Sequence, residues 1–460
     1  LAVTADLQKD SIMKTYIGVI FLSLLIFGCE KNHKSEKEAM AEQVKAEFRH
    51  TWNGYKQYAW GEDELLPLSG SYRNWYDTSF VMTPVDAFDT MLLMGMEEEA
   101  EETKELIFES LNFDQDIFVQ VFEVNIRLLG GLLSAYQMDG DERFLTLAED
   151  LGNRLLPAFD SPTGMPYVRV NLRTGETEWP VNNPAEIGTL MLEFGSLSKL
   201  TGNPEFYTKA KNAVQALFNK RSEIGLVGTT IDVETGEWQN TESHISGRID
   251  SYYEYLLKSW LLFEDKDFLT MWEASIPAVN TYLLDRVESG TWYGYADMYT
   301  GERTRTHYGA LDAFMPGLLV LADQIELAKE LQESNFKMWQ LTGIEPEAID
   351  YVNMEILSDA YFLRPENLES AYYLYGATGD AKYLEMGKVM FQSLIEYCKT
   401  DIGYAELEDV RTKEQKDAMQ SFFLAETLKY AYLLFAEENV LDPDKYVLNT
   451  EAHPLTKTWP

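Results

Sequence analysis

Residues 246–269 read SGRIDSYYEYLLKSWLLFEDKDFL, and the way this stretch divides decides the fold. Residues 246–263 are strongly apolar and read as a helix. Glu264-Asp265-Lys266-Asp267 is a turn with an Asp cap, and Phe268 opens a more polar helix over 266–284. The form recurs in Gly140-Asp141-Glu142-Arg143-Phe144-Leu145, Gly202-Asn203-Pro204-Glu205-Phe206-Tyr207 and Gly379-Asp380-Ala381-Lys382-Tyr383-Leu384. The aromatics at 144, 206, 268 and 383 are separated by 62, 62 and 115 residues, the last close to twice the period. Each follows an apolar helix (184–201 and 364–378 are others) and begins a more polar one (203–220, 380–398). Apolar helices belong inside and amphipathic ones outside. This period allows about fourteen helices, or seven pairs, stacked as a solenoid or closed as an α/α toroid. Alternating strand patterns are scarce and short, and no Pro/Gly/Ser linker interrupts residues 50–440, so a single domain is expected.

The chain has 460 residues, a hydrophobic fraction of 45% with 13% aromatics, and a net charge of −38. Such a composition supports a large core and excludes a disordered chain. Its acidity argues against nucleic acid or an anionic membrane as a partner, since both are polyanions. Two cysteines supply neither a disulfide framework nor a Cys-rich metal site, and five scattered histidines argue against a His-built transition-metal site. Chemistry must then rest mostly on carboxylates.

Residues 1–12 precede Met13 and read as upstream sequence. After Lys14, the apolar run IGVIFLSLLIFG (17–28) is shorter than the roughly 20 residues that span a bilayer, but it suits a signal-peptide core. Leu25-Ile26-Phe27-Gly28-Cys29 resembles a bacterial lipobox, the alternative being an ordinary secretory signal. The expectation is therefore a leader ending at residue 28 and a lipid on Cys29. Residues 29–46 would be a polar tether and residues 47–460 the domain. The chain would sit at a bacterial cell envelope, periplasmic or surface-facing, touching the membrane only through its anchor. Cys398 would be the remaining thiol, excluding an intramolecular disulfide.

Several acidic residues stand where apolar ones belong: Glu123 in VFEVNIRLLGGLL, Asp250 and Glu254 in RIDSYYEYLL, Glu366 and Glu369 in LRPENLESAYYLY, and Glu426 in SFFLAETLKYAYLLF. An ionised carboxylate is costly to bury unpaired, so such groups are paired, metal-bound or protonated. Glu123 and Arg127, and Asp250 and Glu254, are four apart; Glu366 and Glu369 are three apart, so each pair shares a helix face. Positions 123, 186, 250, 366 and 426 step by about 60 residues or twice that, one near the start of successive inner helices. In a toroid they converge on one end of the central cavity. With Arg127, Arg248, Arg364 and many Tyr and Trp around it, that cavity reads as a sugar pocket whose carboxylates supply the acid and base for glycosidic cleavage. Helix caps or Arg pairs within the core are the alternative.

Seven collinear stretches carry a specific resemblance: TPVDAFDTMLLMG, VFEVNIRLLGGLLSAY, AEIGTLMLEFGSLSKLTGNP, GRIDSYYEYLLKSW, LRPENLES, MQSFFLAETLKYAYLLF and NTEAHPL. Over residues 50–456 the chain resembles the class I α-mannosidases, glycoside hydrolase family 47. YKQYAWGEDELLPL, DAFMPGLLVL, ESAYYLYGATGDAKYLEMG and GYAELEDVRT are most similar to its EDEM-like branch, whereas Arg248-Ile249-Asp250 is closer to the processing α-1,2-mannosidases. The resemblance implies an all-α (α/α)7 barrel, inverting hydrolysis of terminal α-1,2-linked mannose from oligomannose or N-glycan-type glycans, and a Ca²⁺ at the barrel base. It implies that Glu123 is a general-acid candidate, that Asp250 is the other carboxylate proposed for acid duty, and that Glu366 is the base. Thr450 matches the calcium ligand, an oxygen site that suits Ca²⁺. Glu186, Glu254, Glu369, Glu426 and Glu451 match acidic residues of the pocket or the calcium's outer shell, and Phe422 an aromatic platform under the sugar.

Departures exist as well. The disulfide of the processing enzymes cannot form here, and Ala310-Leu311-Asp312-Ala313-Phe314 replaces a stretch that carries a His in those enzymes. Three functions are compatible with this pattern: an anchored exo-α-mannosidase, an EDEM-like lipoprotein that binds mannose glycans without cleaving them, and another α/α-toroid carbohydrate enzyme such as a lyase. Residues 437–460 are too turn-rich for a helix yet carry Tyr446, Val447, Leu448 and Thr450, so this segment is expected to plug one mouth of the barrel.

Overall fold

Asp141, Asn203, Asp265 and Asp380 each accept a hydrogen bond, at 3.0 Å, from a backbone N–H of the helix they precede. These caps satisfy otherwise orphaned N–H groups and fix where each outer helix begins. Phe144, Phe206, Phe268 and Tyr383 then turn inward and are fully buried. The computed structural model describes residues 36–436 and 440–457. Inner helices cover 82–94, 121–139, 184–201, 250–263, 311–321, 366–378 and 423–435, with short irregular turns inside some of them. Outer helices cover 36–58, Glu97–Ser110, Glu142–Leu155, Pro204–Phe218, Lys266–Tyr282, Ile325–Gln340 and Ala381–Tyr397. Inner helix 250–263 is buried on nearly every face, while outer helix Lys266–Tyr282 buries one stripe through Phe268, Met271, Trp272, Ile276 and Val279. The last inner helix returns to the first, where the Thr90 hydroxyl donates to the Ala425 carbonyl at 3.4 Å. The fold is the expected (α/α)7 barrel.

The two ends of the barrel differ. Turns from inner to outer helix are short, and several close on a left-handed residue such as Gly140, Gly202 or Gly379. Connections from outer to inner helix are long and carry strands of two to four residues, as short as the alternating patterns of the sequence but more numerous than those patterns suggest. Strand 118–120 pairs with hairpin 169–178, 181–182 with 230–240, 242–243 with 295–305, and 307–309 with 348–358. The second to sixth connections are thus stitched each to the next, and small sheets rim one mouth.

The hairpins share a local code: Asn171, Asp232, Asp297, Asp350 and Asp409 open the turns. Their side chains accept two backbone N–H bonds in most cases, as Asp232 does from Glu234 and Thr235. The fifth residue (Gly175, Gly236, Gly301, Met354 or Lys413) is left-handed, as a type I turn with a bulge requires.

A second correction concerns the N-terminal boundary. Residues 36–46, expected within the tether, are helical and bury Met40, Ala41 and Val44. The leader, Cys29 and the tether up to residue 35 lie outside the described residues.

Candidate active site

The acidic and arginine residues expected at the pocket, with Phe422 and Thr450, all line one cavity of about 350 Å³ at the strand-rimmed mouth. The convergence has a simple origin, since the inner helices begin at this mouth. Asp250 and Glu366 are the first residues of their helices, and Glu186 lies in the first turn of its own, capped by Asn183. The partial positive charge of a helix N-terminus favours a carboxylate there. Glu123 and Arg127 form the expected ion pair, Nε to Oε2 at 3.0 Å. Arg127 lies in a π-helical turn, Asn125–Leu129, and Glu426 in another, Phe423–Thr427. Such wider turns push a side chain out of α register and recur at functional sites. Arg248 is held at φ +79°, in the left-handed region, which is unfavourable for a residue with a Cβ by about 1–2 kcal/mol.

Burial dominates the electrostatics. It raises Glu366 well above the carboxylate range, against the pull of Arg364, and one oxygen of Glu366 has no protein partner. Burial also pushes Asp250 up to about 7 and raises Glu369 in spite of Lys258. Burial raises Glu426 and Glu451 well above their usual range, Glu451 adding to the first and Asp86 and Glu123 to the second, against the pull of Arg127 on both. Glu186 is raised by burial, while Asn183 and Gln120 donate to it at 3.0 and 3.1 Å. Arg364 is held by Glu347 through two bonds of 2.7 and 3.2 Å. Lys258 donates to Glu254 beneath the cavity. Phe422 lines the cavity with the Arg127 guanidinium 5.6 Å from its ring centre.

From the opposite mouth the chain end enters as a hairpin, Tyr446–Leu448 against Pro454–Thr456. Its tip, 449–453, is tied down at every step. The Asn449 amide donates to Ile126 O at 3.1 Å and to Glu193 at 2.8 Å, and the Thr450 N–H donates to the Tyr255 hydroxyl at 3.3 Å. Lys429 Nζ donates to Ala452 O at 2.7 Å, and Arg127 binds Glu451. His453, between Asp89 and Asp86, would be lowered by burial, but the two carboxylates hold it up at about 9. Thr450 thereby reaches the cavity among buried carboxylates. The oxygens of Thr450 are hard donors of the kind Ca²⁺ takes. No group of three or more His, Cys, Asp or Glu among the described residues is arranged to hold a metal, so the Thr450 oxygens would have to act with water rather than a carboxylate cage.

The sequence reading missed several features. Gln120, Asn183 and Gln420 line the cavity, but isolated amides carry no pattern. Asp312, on the fifth inner helix, falls in the roughly 60-residue acidic series between 250 and 366 and was detectable there; burial pushes it up to about 8. The expected Tyr and Trp are absent from the cavity lining. They lie in the core behind it, as do Tyr255 and Tyr430, or at the rim, as do Trp75 and Trp179.

Known proteins agree with this picture. The model of "Glycosyl hydrolase family 47" matches residues 47–457. Alpha-mannosidase I MNS5 of Arabidopsis thaliana is 38% identical, over 95% of this chain and 80% of its own. ER degradation-enhancing alpha-mannosidase-like protein 2 of Homo sapiens is also 38% identical, over 90% and 77%. The structure of the alpha-1,2-mannosidase from Trichoderma reesei superposes with a TM-score of 0.84 at 30% identity, covering 92% of this chain and 99% of that one. The family match begins in the first outer helix and ends just past the plug's last strand, so it takes in the toroid and its stopper together: this chain is a glycoside hydrolase of the α-mannosidase kind and belongs to glycosyl hydrolase family 47.

Proposed function

We propose that this protein is an inverting, Ca²⁺-dependent exo-α-mannosidase that removes terminal α-1,2-linked mannose from oligomannose or N-glycan-type glycans. The observation that carries the reading is Glu366, a buried carboxyl with one unpartnered oxygen that heads its helix in a cavity also lined by Glu123 and Asp250. Glu366 takes a proton from the attacking water, and Arg364 favours its ionised form against the cost of burial. Glu123, held by Arg127, is the acid we favour, because the Asp250 carboxyl is engaged by the Ser251 N–H at 2.9 Å. Phe422 supports the apolar face of the sugar. A Ca²⁺ at Thr450 would supply coordination of sugar hydroxyls at the cavity floor. A glycan-binding protein without hydrolysis needs no such buried base and acid on one cavity. The test is release of mannose from α-1,2-mannobiose with and without EDTA, the first anomer being read by NMR. β-Mannose, lost on chelation and restored by Ca²⁺ but not Zn²⁺, is expected; an α-anomer or full activity in EDTA would refute the reading.

A further inference from the structure

Arg127 presents its guanidinium in two directions. Its Nε donates to Glu123 at 3.0 Å, on the cavity side. Its Nη1 faces three acceptors from separate elements: Glu451 of the plug, the Ser421 hydroxyl at 3.3 Å, and Asp86 at 3.5 Å. Asp86, fully buried in the first inner helix, also accepts from the Ser421 hydroxyl and faces His453 Nε2 at 3.2 Å. Neither Asp86 nor Ser421 lines the cavity. The guanidinium is a rigid planar fork, so fixing Nη1 fixes the direction of the Nε–H bond and hence where the Glu123 oxygen must lie. Trp75 and Phe422, with ring centres 5.2 and 5.6 Å from the guanidinium carbon, flank the fork.

Burying Asp86 beside so many charges does not favour stability over an apolar core, and buried ionic groups of this kind are best attested as setting register. We infer that Asp86 and Ser421 are positioning residues: by clamping Arg127 they hold Glu123 at the angle needed to protonate the leaving oxygen. The inference rests on Glu123 as the acid. It assigns a role in the reaction to two residues that do not touch substrate.

The experiment compares wild type, Ser421→Ala, Asp86→Asn and Glu123→Gln on α-1,2-mannobiose and on α-mannosyl fluoride in excess Ca²⁺. Fluoride departs with little help from an acid. A small misplacement of a reacting group costs up to about 100-fold. Ser421→Ala and Asp86→Asn should therefore lose about 10–100-fold in kcat on mannobiose, with KM nearly unchanged and the fluoride rate within about threefold of wild type. Glu123→Gln should show the same selectivity more strongly, and adding Ser421→Ala to it should cost nothing further. If Glu123→Gln is selective but Ser421→Ala slows both substrates equally, changes only KM, or changes nothing, the positioning role is wrong. If Glu123→Gln is itself unselective, the acid assignment falls and the inference with it. Ser421→Ala removes a single oxygen and decides the matter alone should Asp86→Asn fail to fold.

Discussion

Replacing Lys429 by Met removes one ammonium from a fully buried site. Lys429 is fully buried, and its Nζ is shared between Asp89 Oδ1 and the Ala452 carbonyl, each at 2.7 Å. Met matches the stem but leaves Asp89 with His453 and Ser134 alone and the plug's carbonyl unpaired. Breaking a buried pair from one side costs about 3–5 kcal/mol, and an orphaned acceptor about 1–3 kcal/mol more. Unfolding entropy near 2.1 cal/mol/K per residue, over roughly 400 ordered residues, turns a loss of about 5 kcal/mol into a Tm drop of about 6 °C. The pH dependence has a definite sign. Burial would raise Asp89, but Lys429 and His453 hold it down at about 2, so the pair stabilises the fold above about pH 4. The variant's deficit should therefore be full at pH 7 and shrink as pH falls from 4 towards 2. Calorimetry of Lys429→Met and of Lys429→Met/Asp89→Asn checks both points. The double variant should regain half or more of the loss, because its second change removes the stranded charge. A single variant melting within 1 °C of wild type, or a double variant no better than the single one, would refute the reasoning.

Glu366→Gln should lower kcat by about 10²–10⁴-fold while leaving binding of mannose-like inhibitors nearly intact, as inhibitor titration would read. Truncation after Asn449 should abolish turnover and lower Tm, whereas removing residues 458–460 should do neither. Asp312 and Glu345, both pushed up to about 8 by burial, stay neutral in the folded chain where the unfolded chain ionises them, so the stability they confer is lost as pH rises from about 4 to 8; Asp312→Asn should flatten the decline in Tm over that window. Cys29→Ser should abolish incorporation of labelled fatty acid in a bacterial host, and unchanged labelling would refute the lipobox.

How much of this was legible follows from what each feature writes into the sequence. The helical hairpins were readable because cap, aromatic and apolar helix recur in one order, and the pocket because its acids break an apolar pattern at the same spacing. The sixth outer helix escaped the repeat for a physical reason: Gln324 precedes it without a side-chain cap and no aromatic opens it. The rim strands, mostly two to four residues long, are too short for alternation to show. Their turns were nevertheless written out, as Asn171-Leu-Arg-Thr-Gly-Glu, Asp232-Val-Glu-Thr-Gly-Glu and Asp297-Met-Tyr-Thr-Gly-Glu, in step with the helices. Asp86, Asp89, Lys429 and His453 left no comparable mark. Their meaning lies in partners more than 300 residues away, or on another helix, which no local window joins.

The return of the last inner helix to the first has a consequence for the order of synthesis. Thr90 meets Ala425 across 335 residues, and Arg127 meets Glu451 across 324. Until those late residues emerge from the ribosome, the nascent chain is an open horseshoe with the apolar flank of helix 82–94 uncovered and no floor to its cavity. Contacts this distant are paid for in loop entropy before they return anything, so closure is the slow, late event. A chain interrupted between residues 427 and 449 carries Glu123, Asp250 and Glu366 and still has no completed pocket to use them in. Hydrolytic competence therefore waits on the plug, and is acquired only once residues 446–456 have been made and seated.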